Sequence, residues 1–184
     1  MKYSAVIFFI LCLFFGCTIK GSFQGLYSYY NKTRTSQPGL FASDSAICEL
    51  ENQVAPKVYI IKGIDLAKCL KEQEKAFVYI WAPKCKSKYC YPINFIQQKA
   101  DSSGAELFIV AEYFDSELMN IRYNIERPIF GPDIEYYKSN KTAKYLPELL
   151  ADIGVPKMNI SNGRILLFEN GSFVSSFSYL GDLK

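Results

Sequence analysis

Histidine is absent from all 184 residues of the chain. Without an imidazole there is no Ser-His-Asp or Cys-His catalytic unit, no zinc-protease helix of the H-E-x-x-H kind, and no side chain that titrates near neutrality unperturbed. Excess charge is scarce as well: 21 Lys and Arg against 18 Asp and Glu leave a net charge of +3, with the cations scattered and no long basic run. Counterion-release binding to nucleic acid needs more positive charge than this, so no nucleic-acid partner is expected. The chain has no C-x-x-C pair, no internal repeat and no low-complexity block. Dispersed cysteines without histidine make a poor zinc or copper ligand set, and no cofactor is expected. The chemistry left rests on thiols, carboxylates, Lys and Tyr, in a chain of a length suited to one domain.

Met1 and Lys2 precede an almost uninterrupted apolar run over residues 5–15. About eleven residues are too few to cross a ~30 Å hydrocarbon core as a helix, so the run reads as the hydrophobic region of an export signal. It ends Leu13-Phe14-Phe15-Gly16-Cys17, which resembles a bacterial lipobox with Phe15 where a small residue is usual. The resemblance implies that Cys17 is acylated and that the protein is lipid-anchored in a bacterial cell envelope, facing the periplasm. An ordinary secretory signal cut nearby and an uncleaved anchor are the alternatives. Residues 18–45 are rich in Ser, Gly, Thr, Gln and Tyr around a Pro38-Gly39 turn. They are expected to form a flexible tether of about 28 residues, with a typical reach of about 30 Å.

Residues 46–184 read as one α/β domain. A short β-branched and aromatic strand over 57–61 is followed by a helix over 64–74, with Asp65 in its first turn and Lys71 and Lys75 near its end. Residues 76–82 (AFVYIWA) form a continuous apolar run, the pattern of a central strand buried on both faces of a parallel sheet. A helix over 92–100 starts at Pro92, a third strand covers 105–114, and helical stretches over 115–123 and 142–153 flank an irregular connection at 126–140. At the C-terminus, Asn170-Gly171 between two strand-like runs predicts an antiparallel hairpin. The expected order is β-α-β-α-β-α-β-β in a mixed sheet.

The central strand runs into Trp81-Ala82-Pro83-Lys84-Cys85, then Lys86-Ser87-Lys88-Tyr89-Cys90-Tyr91-Pro92. Trp-Ala-Pro-x-Cys at a strand-to-helix junction, together with Leu166-Leu167-Phe168-Glu169-Asn170-Gly171 as a final hairpin, resembles the thioredoxin superfamily over residues 54–180. Exported, lipid-anchored members of the TlpA and ResA kind are nearest in organisation. The resemblance implies a thioredoxin-like three-layer sandwich, Cys85 as an exposed nucleophilic thiol, and exported thiol- or disulfide-containing proteins as partners. It also implies that Trp81 and Pro83 shape the surface around the thiol. The physics of thiols points to the same residue, because thiolates form more readily near a helix N-terminus and beside cations, and Lys84, Lys86 and Lys88 flank Cys85.

In the superfamily the active pair is C-x-x-C; here the second thiol is Cys90, five residues on, and residue 88 is Lys. Five residues apart in a helix, two Cα atoms stand ~8–9 Å from each other, beyond the roughly 7 Å limit for a disulfide, so a Cys85–Cys90 bond requires a non-helical loop. Gly163 stands where the family has a cis-proline, and Tyr79 where thioredoxins often have a buried acid. Two roles for Cys85 and Cys90 are therefore open: an exchanging pair with Cys90 as resolving thiol, or a structural staple in a binding or assembly module. Cys69, beside Leu66 and Leu70 on the first helix, reads as a buried small hydrophobe or as the partner of Cys48 in a structural disulfide, the pair being the favoured reading.

Overall fold

The computed structural model describes residues 25–42, 46–51, 55–156 and 163–182. The export signal with Cys17, the beginning of the expected tether and its residues 43–45 lie outside the described residues. Seven strands form one mixed sheet: β1 (Phe41–Ala42), β2 (Val58–Ile61), β3 (Lys75–Trp81), β4 (Glu106–Ala111), β5 (Ile129–Pro132), β6 (Ile165–Glu169) and β7 (Ser172–Phe177). Their order across the sheet is β1-β2-β5-β4-β3-β6-β7. The first five in that order are parallel, and β6 and β7 are antiparallel to their neighbours. Among the described residues there are four α-helices: α1 (Tyr30–Ser36), α2 (Gly63–Lys71), α3 (Ile93–Ser102) and α4 (Thr142–Asp152).

Alternation along β3 divides the core in two. Ala76, Val78 and Ile80 pack on one face with Leu66 and Leu70 of α2 and Tyr145, Leu146 and Leu149 of α4. Phe77, Tyr79 and Trp81 pack on the other with Ile93, Ile96 and Ala100 of α3 and Tyr30 of α1. Helices thus cover both faces of the sheet, and β3 has β4 on one edge and β6 on the other. The expected mixed α/β architecture, the buried central strand and the terminal hairpin are all present. In the hairpin turn Asn170 and Gly171 both take positive φ, 48° and 75°, the backbone that Asn-Gly adopts readily.

Three expectations are corrected. Residues 25–42 are not a tether: they carry α1 and β1, and Phe41 and Ala42 pair with Val58 and Tyr59. Aromatic contacts hold them, since Tyr30, Phe41 and Phe114 meet with ring centroids 5.1–5.5 Å apart and Leu40 is buried. Residues 115–123 contain only a short 3-10 turn, Leu118–Asn120, because the Asp115 carboxylate accepts the N–H groups of Glu117 and Leu118 and closes a tight turn. Residues 126–140 contain β5, an additional strand inserted between β2 and β4.

Gly131 explains how a segment so rich in Pro and Gly enters the sheet. A Cβ at this position would stand 2.4 Å from Cε1 of Phe114 and 3.2 Å from Cγ1 of Val58, so only glycine lets β5 slide beneath that ring. Gly131→Ala is expected to destabilise the fold by about 1–3 kcal/mol through this overpacking. Gly39→Ala, where a Cβ meets nothing within 4 Å, is the control. Chemical denaturation of both variants checks the pair, and equal stabilities would refute the account.

Candidate functional site

A strand buried on both faces and both edges leaves its sheet at the carboxyl end, the position where open α/β sheets place their binding crevices. After Trp81 the chain makes two consecutive turns: the Cys85 N–H donates to the Ala82 carbonyl at 3.1 Å, and the Cys90 N–H to the Ser87 carbonyl at 3.0 Å. Pro92 then caps α3 in an extended conformation (φ −57°, ψ 141°) rather than occupying the first helical position. The loop is non-helical, as a bond between its two thiols requires. Cys85 and Cys90 form a disulfide with their Cα atoms 5.9 Å apart. Cys48 and Cys69 form the second, Cα to Cα 5.0 Å, and tie the 3-10 turn Ile47–Glu49 to the buried flank of α2.

Phenols hold the disulfide loop. The Tyr79 hydroxyl, deep in the sheet, donates to the Tyr91 carbonyl at 2.8 Å. Burial pushes the Tyr79 pKa up to about 12, so this group remains a protonated donor. At the other end, the Lys84 N–H donates to the Tyr113 hydroxyl at 2.9 Å. In the middle, the Tyr179 hydroxyl donates to that of Tyr89 at 3.1 Å while their rings meet edge to face at 5.2 Å. Trp81 is buried against Tyr123, with ring centroids 5.7 Å apart, and its carbonyl accepts the Glu112 N–H at 2.7 Å.

The flanking cations divide into three kinds. Lys84 Nζ stands 2.9 Å from Asp115 and 3.5 Å from Glu117, so its charge is matched by carboxylates. Lys88 Nζ sits over the rings of Tyr89 and Tyr179, at 5.1 and 5.9 Å. Lys86 is exposed. Of the three, Lys84 is therefore not a free cation awaiting a thiolate. In the chain Cys90 stands two residues before Pro92, the cap of α3, and Cys85 seven.

Cys85 is half-buried and lines a cleft of about 840 Å³ with Gly25, Ala82, Lys84, Lys86, Glu112, Tyr113 and Arg164. Trp81, Pro83, Lys88, Cys90 and Gly163 do not line it. Arg164 and Glu112, which no local motif marks, form a half-buried ion pair at 2.8 Å, and Arg164 also donates to the Ile80 carbonyl at 3.1 Å. Glu112 and Tyr113 directly follow β4, the parallel neighbour of β3, and the ends of adjacent parallel strands converge on one crevice. That position marks Glu112 and Tyr113, though not Arg164. Gly163 serves packing: a Cβ there would stand 2.8 Å from the Phe177 nitrogen. No cis peptide bond occurs among the described residues.

A second cleft of about 440 Å³ lies near the Cys48–Cys69 disulfide, and Arg127 spans it by donating to Glu106 and to the Cys48 carbonyl. No group of three or more potential metal ligands gathers, and no helix is long and apolar enough to cross a membrane, among the described residues. Comparison with protein-family models, curated proteins and solved structures returns no match.

Tyr79→Phe removes the donor to the Tyr91 carbonyl and is expected to cost about 1–2 kcal/mol. Thermal unfolding should fall by about 2–8 °C, and an unchanged midpoint would show that the phenol does not hold the loop. Burial alone would raise the Asp115 carboxyl, but hydrogen bonds from the Leu118 N–H and Lys84, and the Lys84 charge, leave it below its ordinary value. Its contribution is thus complete above the usual carboxylate range and lost as pH falls through the lowered value. Asp115→Asn should flatten the acid limb of the stability–pH curve, and an unaltered limb would count against the Lys84–Asp115 pair.

Proposed function

We propose that this is an exported, lipid-anchored thioredoxin-like protein that performs thiol-disulfide exchange on other exported proteins in the bacterial envelope. The observation that carries this reading is the Cys85–Cys90 disulfide at the carboxyl end of a doubly buried parallel strand, with Cys85 on the wall of a cleft. Support for the thioredoxin-like fold comes from the Trp-Ala-Pro-x-Cys exit of β3, the helix that follows it and the antiparallel β6–β7 hairpin. The strand β5 between β2 and β4 is an addition to the expected order.

In the oxidising direction a substrate thiolate attacks Sγ of Cys85, the Cys85–Cys90 bond breaks, and the electron pair leaves on Cys90. A second substrate thiolate then attacks the substrate sulfur of this mixed disulfide and releases Cys85 as thiolate. The substrate gains one disulfide and the protein is left with two reduced cysteines. In the reducing direction the Cys85 thiolate attacks a substrate disulfide and Cys90 resolves the mixed disulfide. Lys86 is the flanking cation placed to favour the Cys85 thiolate, and Trp81 and Pro83 give the loop its shape.

One set of observations favours a second reading, a binding or assembly module in which Cys85–Cys90 is a staple. The loop is hydrogen-bonded at both ends by phenols, and Gly163 replaces the family's cis-proline. The redox potential of the pair separates the two. An exchanging pair titrates between about −120 and −270 mV, whereas a staple resists reduction until below about −300 mV. Thiol trapping across a glutathione redox series, read by intact mass, should find the Cys85–Cys90 pair opening in the first range. Cys85→Ser should abolish exchange with a protein disulfide; full activity in that variant would refute the assignment.

A further inference from the structure

The fold begins much nearer to Cys17 than the composition implies. Gly25 lines the Cys85 cleft, and a Cβ there would stand 3.7 Å from the Tyr113 ring and 3.9 Å from Glu112 Oε1. The segment after it is fastened on both sides: the Thr142 N–H donates to the Leu26 carbonyl at 3.1 Å, and the Phe114 N–H to the Ser28 carbonyl at 2.7 Å. Only residues 18–24 separate this point from Cys17. Whatever conformation they take, eight residue steps span at most about 29 Å. The root of this leash carries an exposed Leu26 and Tyr27, at 43% and 38%, an apolar side chain and an amphipathic ring of the type found at headgroup level.

We propose that the leash holds the Cys85 cleft at the membrane surface, so that the protein exchanges disulfides with cysteines lying close to that surface and not with cysteines that partners hold far above it. This rests on the redox reading of Cys85–Cys90, and it holds for an acyl anchor on Cys17 and, with ten residue steps and at most about 36 Å, for an uncleaved apolar run over residues 5–15. A tether of about 28 residues could extend to about 100 Å, whereas the eight residue steps from Cys17 to Gly25 confine the cleft to a shell about as deep as the domain is wide.

The test uses the full-length chain carrying Cys90→Ser, reconstituted in phospholipid vesicles, so that a mixed disulfide on Cys85 is not resolved. Two vesicle-anchored probe peptides each carry one cysteine as a mixed disulfide with thionitrobenzoate, one at the headgroups and one about 60 Å higher on a helical spacer of about 40 residues. The Cys85 thiolate attacks the peptide sulfur, the peptide–thionitrobenzoate bond breaks, and the coloured thionitrobenzoate anion leaves with the electron pair. The near probe should be captured at least about tenfold faster, reflecting its higher effective concentration at the cleft. Inserting about 30 Gly and Ser residues between Gln24 and Gly25 should restore capture of the far probe. Equal capture of both probes by the unmodified leash, no effect of the insertion, or a chain that fails to stay with the vesicles would each overturn the inference. A small soluble aromatic disulfide reports on the redox reading separately: if it too leaves Cys85 unmodified, the exchange chemistry itself fails and the inference falls with it.

Discussion

The disulfide loop takes its shape from how completely β3 is enclosed. From Ala76 to Trp81 every residue is buried, with strands hydrogen-bonded on both edges and helices on both faces. Such a strand has one exit, at the carboxyl edge of the sheet, and the loop that leaves there carries backbone groups that must find partners at the margin of an apolar core. The chain offers no histidine, and no carboxylate on β3 itself. Two of these groups bond carbonyls of the loop's own turns, and the partners at its two ends are phenols, Tyr79 from below and Tyr113 from the adjoining strand end. A phenol suits this place because its ring adds to the core while its hydroxyl both donates and accepts, and burial keeps it neutral.

Charge follows the same geometry. The end of β4 and the start of the antiparallel β6 gather Glu112, Asp115 and Arg164 around the loop, and each charge is matched locally: Arg164 by Glu112, Lys84 by Asp115 and Glu117. Half-buried pairs of this kind orient side chains more than they stabilise the fold, because desolvation offsets much of their attraction. Their consequence for a Cys85 thiolate is that the cleft supplies little unmatched positive charge. Thiolate formation would then lean on exposed Lys86 and on backbone donors of the turns, a weaker device than a helix terminus aimed at the sulfur.

The elements legible from sequence were those written in local patterns. The apolar runs of β3 and β4, the spacing of α2, α3 and α4, and Asn170-Gly171 need only their own residues to be recognised. The strand β5 was illegible because Pro128, Gly131 and Pro132 mark a loop by every local rule, and the reason for Gly131 is a ring seventeen positions away, at Phe114. Residues 25–42 were illegible because polar composition suggested a tether, while their order depends on Tyr30 and Phe41 meeting that same ring. At the site, the paired thiols could be read from spacing and the need for a non-helical loop. The Arg164–Glu112 pair, 52 residues apart in the chain, could not, since it exists only once β6 and β4 flank β3.

Anchoring at both ends bears on how the loop behaves when its disulfide opens. Cleaving the sulfur–sulfur bond leaves the Tyr79–Tyr91 and Lys84–Tyr113 hydrogen bonds intact, and the turn bonds at Cys85 and Cys90 do not involve sulfur. Little conformational entropy is then regained on reduction, and the two thiols remain close at high effective concentration. Both factors favour the oxidised form and draw the potential of the pair downward, towards the reductant side of the exchange range and towards the staple. A loop with a single phenolic anchor would open further on reduction and be the stronger oxidant. The feature that decides between an exchanging disulfide and a structural one is therefore not the four-residue spacing between the cysteines but the pair of tyrosine hydroxyls that hold the loop whether or not the sulfurs are joined.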